Sequence, residues 1–200
     1  MTRLQFKIFG ITVRIDYLLL TLIALFSFFD NGKIMLLALS TAFIHELGHI
    51  FAAEIVGSGV KELYFTAIGI RMKTKVPLHL LSLVKKLFVL SSGCLINIVM
   101  CIVFYITKQN NAALFHLVTA VFNILPVGTL DGGRILTEIL STRLEMVHSE
   151  KICDIISIIL SVFLFVLGAC VLIHSGYNFS LIITSFYLVF TVILRQKRLN

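Results

Sequence analysis

Charged residues are scarce in this chain. Only 14% of its 200 residues are Asp, Glu, Lys or Arg, against about 25% in an average soluble protein. That excludes an ordinary soluble domain, which needs a polar surface this sequence does not possess. Cysteine pairs are lacking too. Cys94, Cys101, Cys153 and Cys170 stand singly in apolar segments, which argues against disulfides and against a cysteine metal cluster. Each is expected to be a small buried helix residue. No small-residue cleavage site follows the first apolar run, so that run is expected to be retained rather than removed as a signal. No internal repeat, low-complexity tract or second domain shows, and residues 1–200 are expected to form a single domain.

What is abundant is apolar. Hydrophobic residues make up 58% of the chain and its mean hydropathy is +1.03, which predicts an integral membrane protein in contact with a lipid bilayer. Runs long enough to cross, or nearly so, lie at Tyr17–Phe29, Ile34–Val56, Leu87–Thr107, Ala112–Leu140, Ile152–His174 and Phe179–Leu194, against the roughly 20 residues a span requires. The first is short and would have to borrow from Phe6–Ile15 or sit in thinned bilayer. The fourth is too long, and Pro126, Gly128, Gly132 and Gly133 imply a break in it.

Fifteen of the seventeen basic residues then fall on one side, and only Lys33 and Lys108 on the other. The positive-inside rule makes that side cytoplasmic, with both termini on it. The net charge of +7 therefore follows membrane topology, and no nucleic-acid partner is expected. Between the second and third runs, Val60–Val76 alternates imperfectly around Gly69. It reads as a short hairpin against the membrane, or else as an amphipathic loop resting at the interface. The expected fold is thus an all-α polytopic membrane protein. It has six transmembrane helices, a membrane-associated β-hairpin between the second and third, and a broken fourth helix.

Inside the second run stands His45-Glu46-Leu47-Gly48-His49. Ionisable residues within a span signal function, because burying them in hydrocarbon is costly unless they are paired or bound. Positions i and i+4 share one helix face, so His45 and His49 can grip one zinc ion, with Glu46 beside them as general base. Gly57 lies twelve residues beyond His45, about 18 Å of helix, so the metal is expected within the bilayer towards the cytoplasmic side. A catalytic zinc site needs a third protein ligand. Glu54 sits too far along the same helix, and His116 and His174 are expected near the opposite face. Asp131, at the break in the fourth run, is the best candidate, since broken helices at membrane depth line cavities or sites.

HELGH followed some eighty residues later by Asn123-Ile124-Leu125-Pro126-Val127-Gly128-Thr129-Leu130-Asp131-Gly132-Gly133-Arg134 resembles the site-2 proteases, intramembrane zinc metalloproteases. Ser92-Gly93-Cys94-Leu95-Ile96-Asn97 resembles a further motif of that family, with Cys94 where proline is usual. Nearly the whole chain is covered. It is most similar to the bacterial sporulation branch typified by stage IV sporulation protein FB, whose CBS domain is not expected within residues 1–200, so nucleotide-linked regulation is not implied.

The resemblance implies that Asn97 and Asn123 line the site and hold substrate backbone or an oxyanion; helix–helix hydrogen bonding is their alternative duty. Arg134 either orients Asp131 or marks the membrane boundary, and His79 and His148 are given no role. The expected function is an intramembrane zinc endopeptidase in a bacterial cell membrane, cutting a membrane-tethered protein near the cytoplasmic face. A sigma-factor precursor is the leading substrate; anti-sigma factors and remnant signal peptides are the alternatives. An inhibitory membrane protein is a further candidate partner, and oligomeric state leaves no mark in the sequence. A non-catalytic client binder would have no need of Glu46, and a metal transporter would show several ligand clusters along a path.

Overall fold

The computed structural model describes residues 3–8, 10–29, 33–66, 69–176 and 180–199. The chain packs as two compact units, Met1–Val121 and Phe122–Asn200. It is mostly helical with one small sheet. Strands β1 (Arg3–Ile8) and β2 (Ile11–Asp16) precede α1 (Tyr17–Phe29) and α2 (Lys33–Ile55). Strands β3 (Val60–Thr66) and β4 (Gly69–Thr74) follow, then α3 (Leu83–Ile106), α4 (Asn110–Ile124), α5 (Asp131–Leu140), α6 (Met146–Ser175) and α7 (Ser180–Leu199). Among the described residues three helices are long and apolar enough to cross a membrane: Ile34–Ile55, Leu83–Ile106 and Met146–Ser175. The α1 helix, at 13 residues, and the α4 helix, at 15, fall short of a full span. The apolar part of α7, Leu181–Phe190, does too.

In the first unit α2 and α3 pack against each other. In lipid no hydrophobic force drives helices together, so close approach of small residues has to do it. Gly48 supplies the contact. A Cβ there would stand 2.7 Å from the Ser92 carbonyl oxygen and 2.8 Å from Ile96 Cγ2. The α2 helix ends at Gly57, whose φ of 78° suits a residue without Cβ. The amides of Ser58 and Gly59 close the end on the Ala53 carbonyl at 2.9 and 3.2 Å. Glu54, an unused ligand candidate, accepts the Val60 amide at 2.9 Å and so anchors the start of β3.

The expected hairpin is there as β3 and β4, with Thr66 paired to Gly69; Ile68, counted in its pattern, lies outside the described residues. The sheet is larger than expected. β1 and β2 form a second antiparallel hairpin, and β2 runs parallel to β3, giving the order β1-β2-β3-β4. Phe6–Ile15 therefore does not extend the first span: Phe6, Val13 and Ile15 alternate with polar neighbours at the period of a strand. The two central strands are tied by Arg14, which donates to Tyr64 Oη at 2.9 Å and lies 3.7 Å from Glu62. Tyr64 donates in turn to Glu62. That hydrogen bond, with the nearby cations, holds the Glu62 carboxyl below its ordinary value. Beneath, Ala52, Ala53, Val60, Leu63 and Val89 form a core joining the sheet to the two helices.

The second unit contains the expected break. The chain leaves α4 at Ile124 and reverses through Pro126 to Leu130, with Val127 N bonded to Leu125 O and Leu130 N to Val127 O. The α5 helix then starts at Asp131. A Cβ on Gly132 would lie 1.9 Å from the Ile124 carbonyl oxygen, and one on Gly133 would lie 2.0 Å from that of Val127. The two glycines exist so that the reversal can lie flat on the first turn of α5. Ser157 on α6 accepts the Gly128 amide at 2.9 Å, and Val127, Leu188 and Val192 bury the far side.

Gly132→Ala and Gly133→Ala are each expected to destabilise the second unit by about 1–3 kcal/mol or more, the cost of overpacking against backbone. Gly176→Asn is expected to be nearly silent: its φ is 75° with open space around it, and Asn tolerates that conformation. Thermal unfolding in detergent checks both.

Candidate metal centre

The geometry of the HELGH turn follows from α2 alone. His45 and His49, four residues apart, project from one face and are 5% and 7% exposed. Their Nε2 atoms stand 3.2 Å apart. Two nitrogens bound at 2.0–2.1 Å to one tetrahedral zinc would be separated by about 3.3 Å, so the spacing suits two ligands of one ion. Glu46, half-buried, follows His45 on the same helix turn.

Helix α3 supplies the surroundings. His49 Nδ1 lies 2.7 Å from the Val89 carbonyl oxygen. A carbonyl can only accept, so the imidazole proton sits on Nδ1 and Nε2 is left as the ligating nitrogen. This outer contact is the usual way a metal-binding histidine is oriented. Ser92, bonded to the same carbonyl at 2.7 Å, touches His49 Nδ1 at 3.3 Å. The Asn97 carboxamide, fully buried, bridges His45 Nδ1 at 3.1 Å and His116 Nδ1 at 2.9 Å. Gly93 faces the two rings. A Cβ there would lie 2.4 Å from His49 Nε2 and 2.7 Å from His45 Nε2, so the absent side chain leaves a cradle at the ligating atoms. Donor chemistry, spacing and cradle all fit zinc.

His45, His49 and Asn97 are thus brought together by α2 and α3. Two residues that sequence reasoning did not assign to the site join them. Cys94, buried as expected, has its Sγ within 4.8 Å of a His45 ring nitrogen. His116, expected at the opposite face, instead sits one carboxamide away from His45. The signal for it was its distance from the α3–α4 turn. Asn97 precedes the end of α3 by nine residues and His116 follows the start of α4 by six, which sets them at similar depth. Asp131 and Asn123 belong to the second unit. Asp131 is 6% exposed in the first turn of α5, where the helix dipole favours a carboxylate. Asn123 is half-buried in the last turn of α4, and the Arg134 side chain is exposed. His79, His148 and His174 are exposed.

Comparison with known proteins agrees with this chemistry. The family model for peptidase family M50 matches residues 109–167, a stretch that contains Asn123 and Asp131. A zinc metalloprotease of Methanocaldococcus jannaschii is 27% identical over 205 residues, which cover 92% of this chain and 58% of that protein. The chain thus spans somewhat over half the length of this curated relative. The solved structure of a site-2 protease from the same organism superposes with a TM-score of 0.70 at 26% identity, over 96% of this chain and 94% of that one. The chain is thus similar, in part of its sequence, to peptidase family M50 and, over most of its length, to a zinc metalloprotease and a site-2 protease.

Gly93→Ala is expected to weaken zinc binding about tenfold or more, as disturbed outer-shell geometry does, while the protein still accumulates in membranes. Competition with a coloured chelator on the purified protein measures it.

Proposed function

We propose that this chain is an intramembrane zinc endopeptidase that cuts a membrane-tethered protein near the cytoplasmic face. The observation that carries the reading is the pair of imidazoles 3.2 Å apart, one locked by a backbone carbonyl so that Nε2 is the ligating atom. His45 and His49 hold the metal with Asp131 as third ligand. Support for Asp131 comes from the need for a third protein donor, from its buried carboxylate and from the built reversal before α5. Zinc, when bound, supplies Lewis acidity that polarises the scissile carbonyl and eases deprotonation of the attacking water. Glu46 takes the water's proton and delivers it to the leaving amine. Asn123 and Asn97 line the site. Asn123 is the better candidate for substrate backbone or oxyanion, because the Asn97 carboxamide is engaged at both ends.

The peptide bonds of a helical substrate are hydrogen-bonded within the helix, so cleavage needs an extended segment. The outer edge of β4 can supply one by strand addition. With Thr66↔Gly69 as the pair closing the hairpin, alternation of the antiparallel ladder turns the Ile70 N–H and C=O away from β3. Those groups are available to an added strand.

The finer reading is a six-span protein of a bacterial cell membrane with cytoplasmic termini, most like the sporulation branch. It would act on a sigma-factor precursor under the control of an inhibitory membrane protein. Anti-sigma factors and remnant signal peptides are the second choice of substrate. A tagged, co-expressed sigma-factor precursor tests it. Glu46→Gln is expected to abolish processing, a loss of about 10²–10⁴-fold, with one zinc still bound. Processing by Glu46→Gln at the wild-type rate would overturn the mechanism. Cleavage of anti-sigma factors alone would move the substrate to the second choice. Ile70→Pro, which removes an outward-facing N–H, is expected to lower turnover with zinc content unchanged; full turnover in that variant would remove strand addition.

A further inference from the structure

His116 is 1% exposed, lies well inside α4, and has no place in the mechanism above. Its ring stacks on Phe104, with centroids 5.4 Å apart and planes inclined by 18°. Its Nδ1 is 2.9 Å from the Asn97 carboxamide, whose other end is 3.1 Å from His45 Nδ1. An imidazole, a carboxamide and a second imidazole thus form one buried line that ends on a metal ligand.

Such a line has two settings. A neutral imidazole donates from one nitrogen and accepts at the other, and a carboxamide donates from its nitrogen and accepts at its oxygen. If His116 Nδ1 donates to Asn97 Oδ1, Asn97 Nδ2 donates to His45 Nδ1. The His45 proton is then on Nε2, the wrong nitrogen for ligation. If His116 Nδ1 accepts, the carboxamide turns over and its oxygen accepts from His45 Nδ1–H. Nε2 of His45 then carries the lone pair that faces His49. Only the second setting makes a ligand, and it requires an acceptor at His116.

We infer that His116 is a positioning residue for the metal centre: through Asn97 it holds His45 in the tautomer and ring orientation that present Nε2 to the ion. The inference rests on the reading of His45 as a ligand. His49 reaches the same end through the Val89 carbonyl, so the two ligands are oriented by different means. One uses invariant backbone, the other a pair of side chains that substitution can reach.

The test is the zinc dissociation constant of the purified full chain by chelator competition, in a double-mutant cycle. His116→Phe keeps a ring against Phe104 but offers no acceptor, and is expected to weaken zinc binding about 10–100-fold, the usual cost of losing an outer partner. His116→Asn has an acceptor near the Nδ1 position and is expected to recover most of that loss. In an Asn97→Leu background His116→Phe is expected to add nothing, because the link is already cut. If His116→Phe fails to accumulate, His116→Leu takes its place in the cycle. Wild-type affinity in His116→Phe, a loss that His116→Asn does not restore, or equal losses with and without Asn97 would each overturn the inference while leaving the metal centre intact. Absence of zinc binding by the wild type would overturn the metal reading along with it.

Discussion

The α2 and α3 helices run so close together that a methyl group at Gly48 would strike the Ser92 carbonyl, and one at Gly93 would strike the His45 and His49 rings. The first unit is organised around that approach. The approach sets the Val89 carbonyl 2.7 Å from His49 Nδ1 and the Asn97 carboxamide 3.1 Å from His45 Nδ1. Lipid does nothing to press two apolar helices together. The contact is held instead by tight packing at Gly48 and by the polar bonds it brings into reach. Helix packing and metal-site geometry are thus one constraint: the same glycines that let the helices touch let the imidazoles be oriented from outside their own helix.

The second unit meets an analogous demand with the same means. To present a carboxylate at a helix start within apolar surroundings, the chain must reverse without leaving backbone groups unsatisfied. It does so with carbonyls laid directly over Gly132 and Gly133 and with Ser157 capping the Gly128 amide. Side-chain bulk would defeat the reversal. In both units, then, the residues that define the chemistry are flanked by glycines whose role is to let backbone come close.

These features differ in how plainly the sequence announces them. The i, i+4 histidines within an apolar run, the broken run before Asp131 and the alternation of Val60–Val76 are local patterns, and each corresponds to an element of the structure. The strands β1 and β2 are hard to read from sequence because the alternation in Phe6–Ile15 abuts a longer apolar run and is easily absorbed into it. Parallel pairing of β2 with β3 joins residues some fifty positions apart, and no local signal encodes that. The depth of His116 is hidden from the sequence for a related reason. Counting from one end of a run that turns out to be two helices gives a depth with no fixed origin. Measured from the α3–α4 turn instead, Asn97 and His116 come out nearly level.

The parallel pairing of β2 and β3 also ties two helix ends together. β2 leads without a gap into α1 at Tyr17, and β3 follows α2 after a turn of four residues. The start of α1 and the end of α2 are therefore held within the length of one short strand pair, whatever the hydropathy between them. The α1 helix has only 13 residues. At about 1.5 Å per residue these give roughly 20 Å of helix, well short of the ~30 Å hydrocarbon core. Anchored through β2 to the strand that follows α2, α1 reaches only part of the way through such a layer.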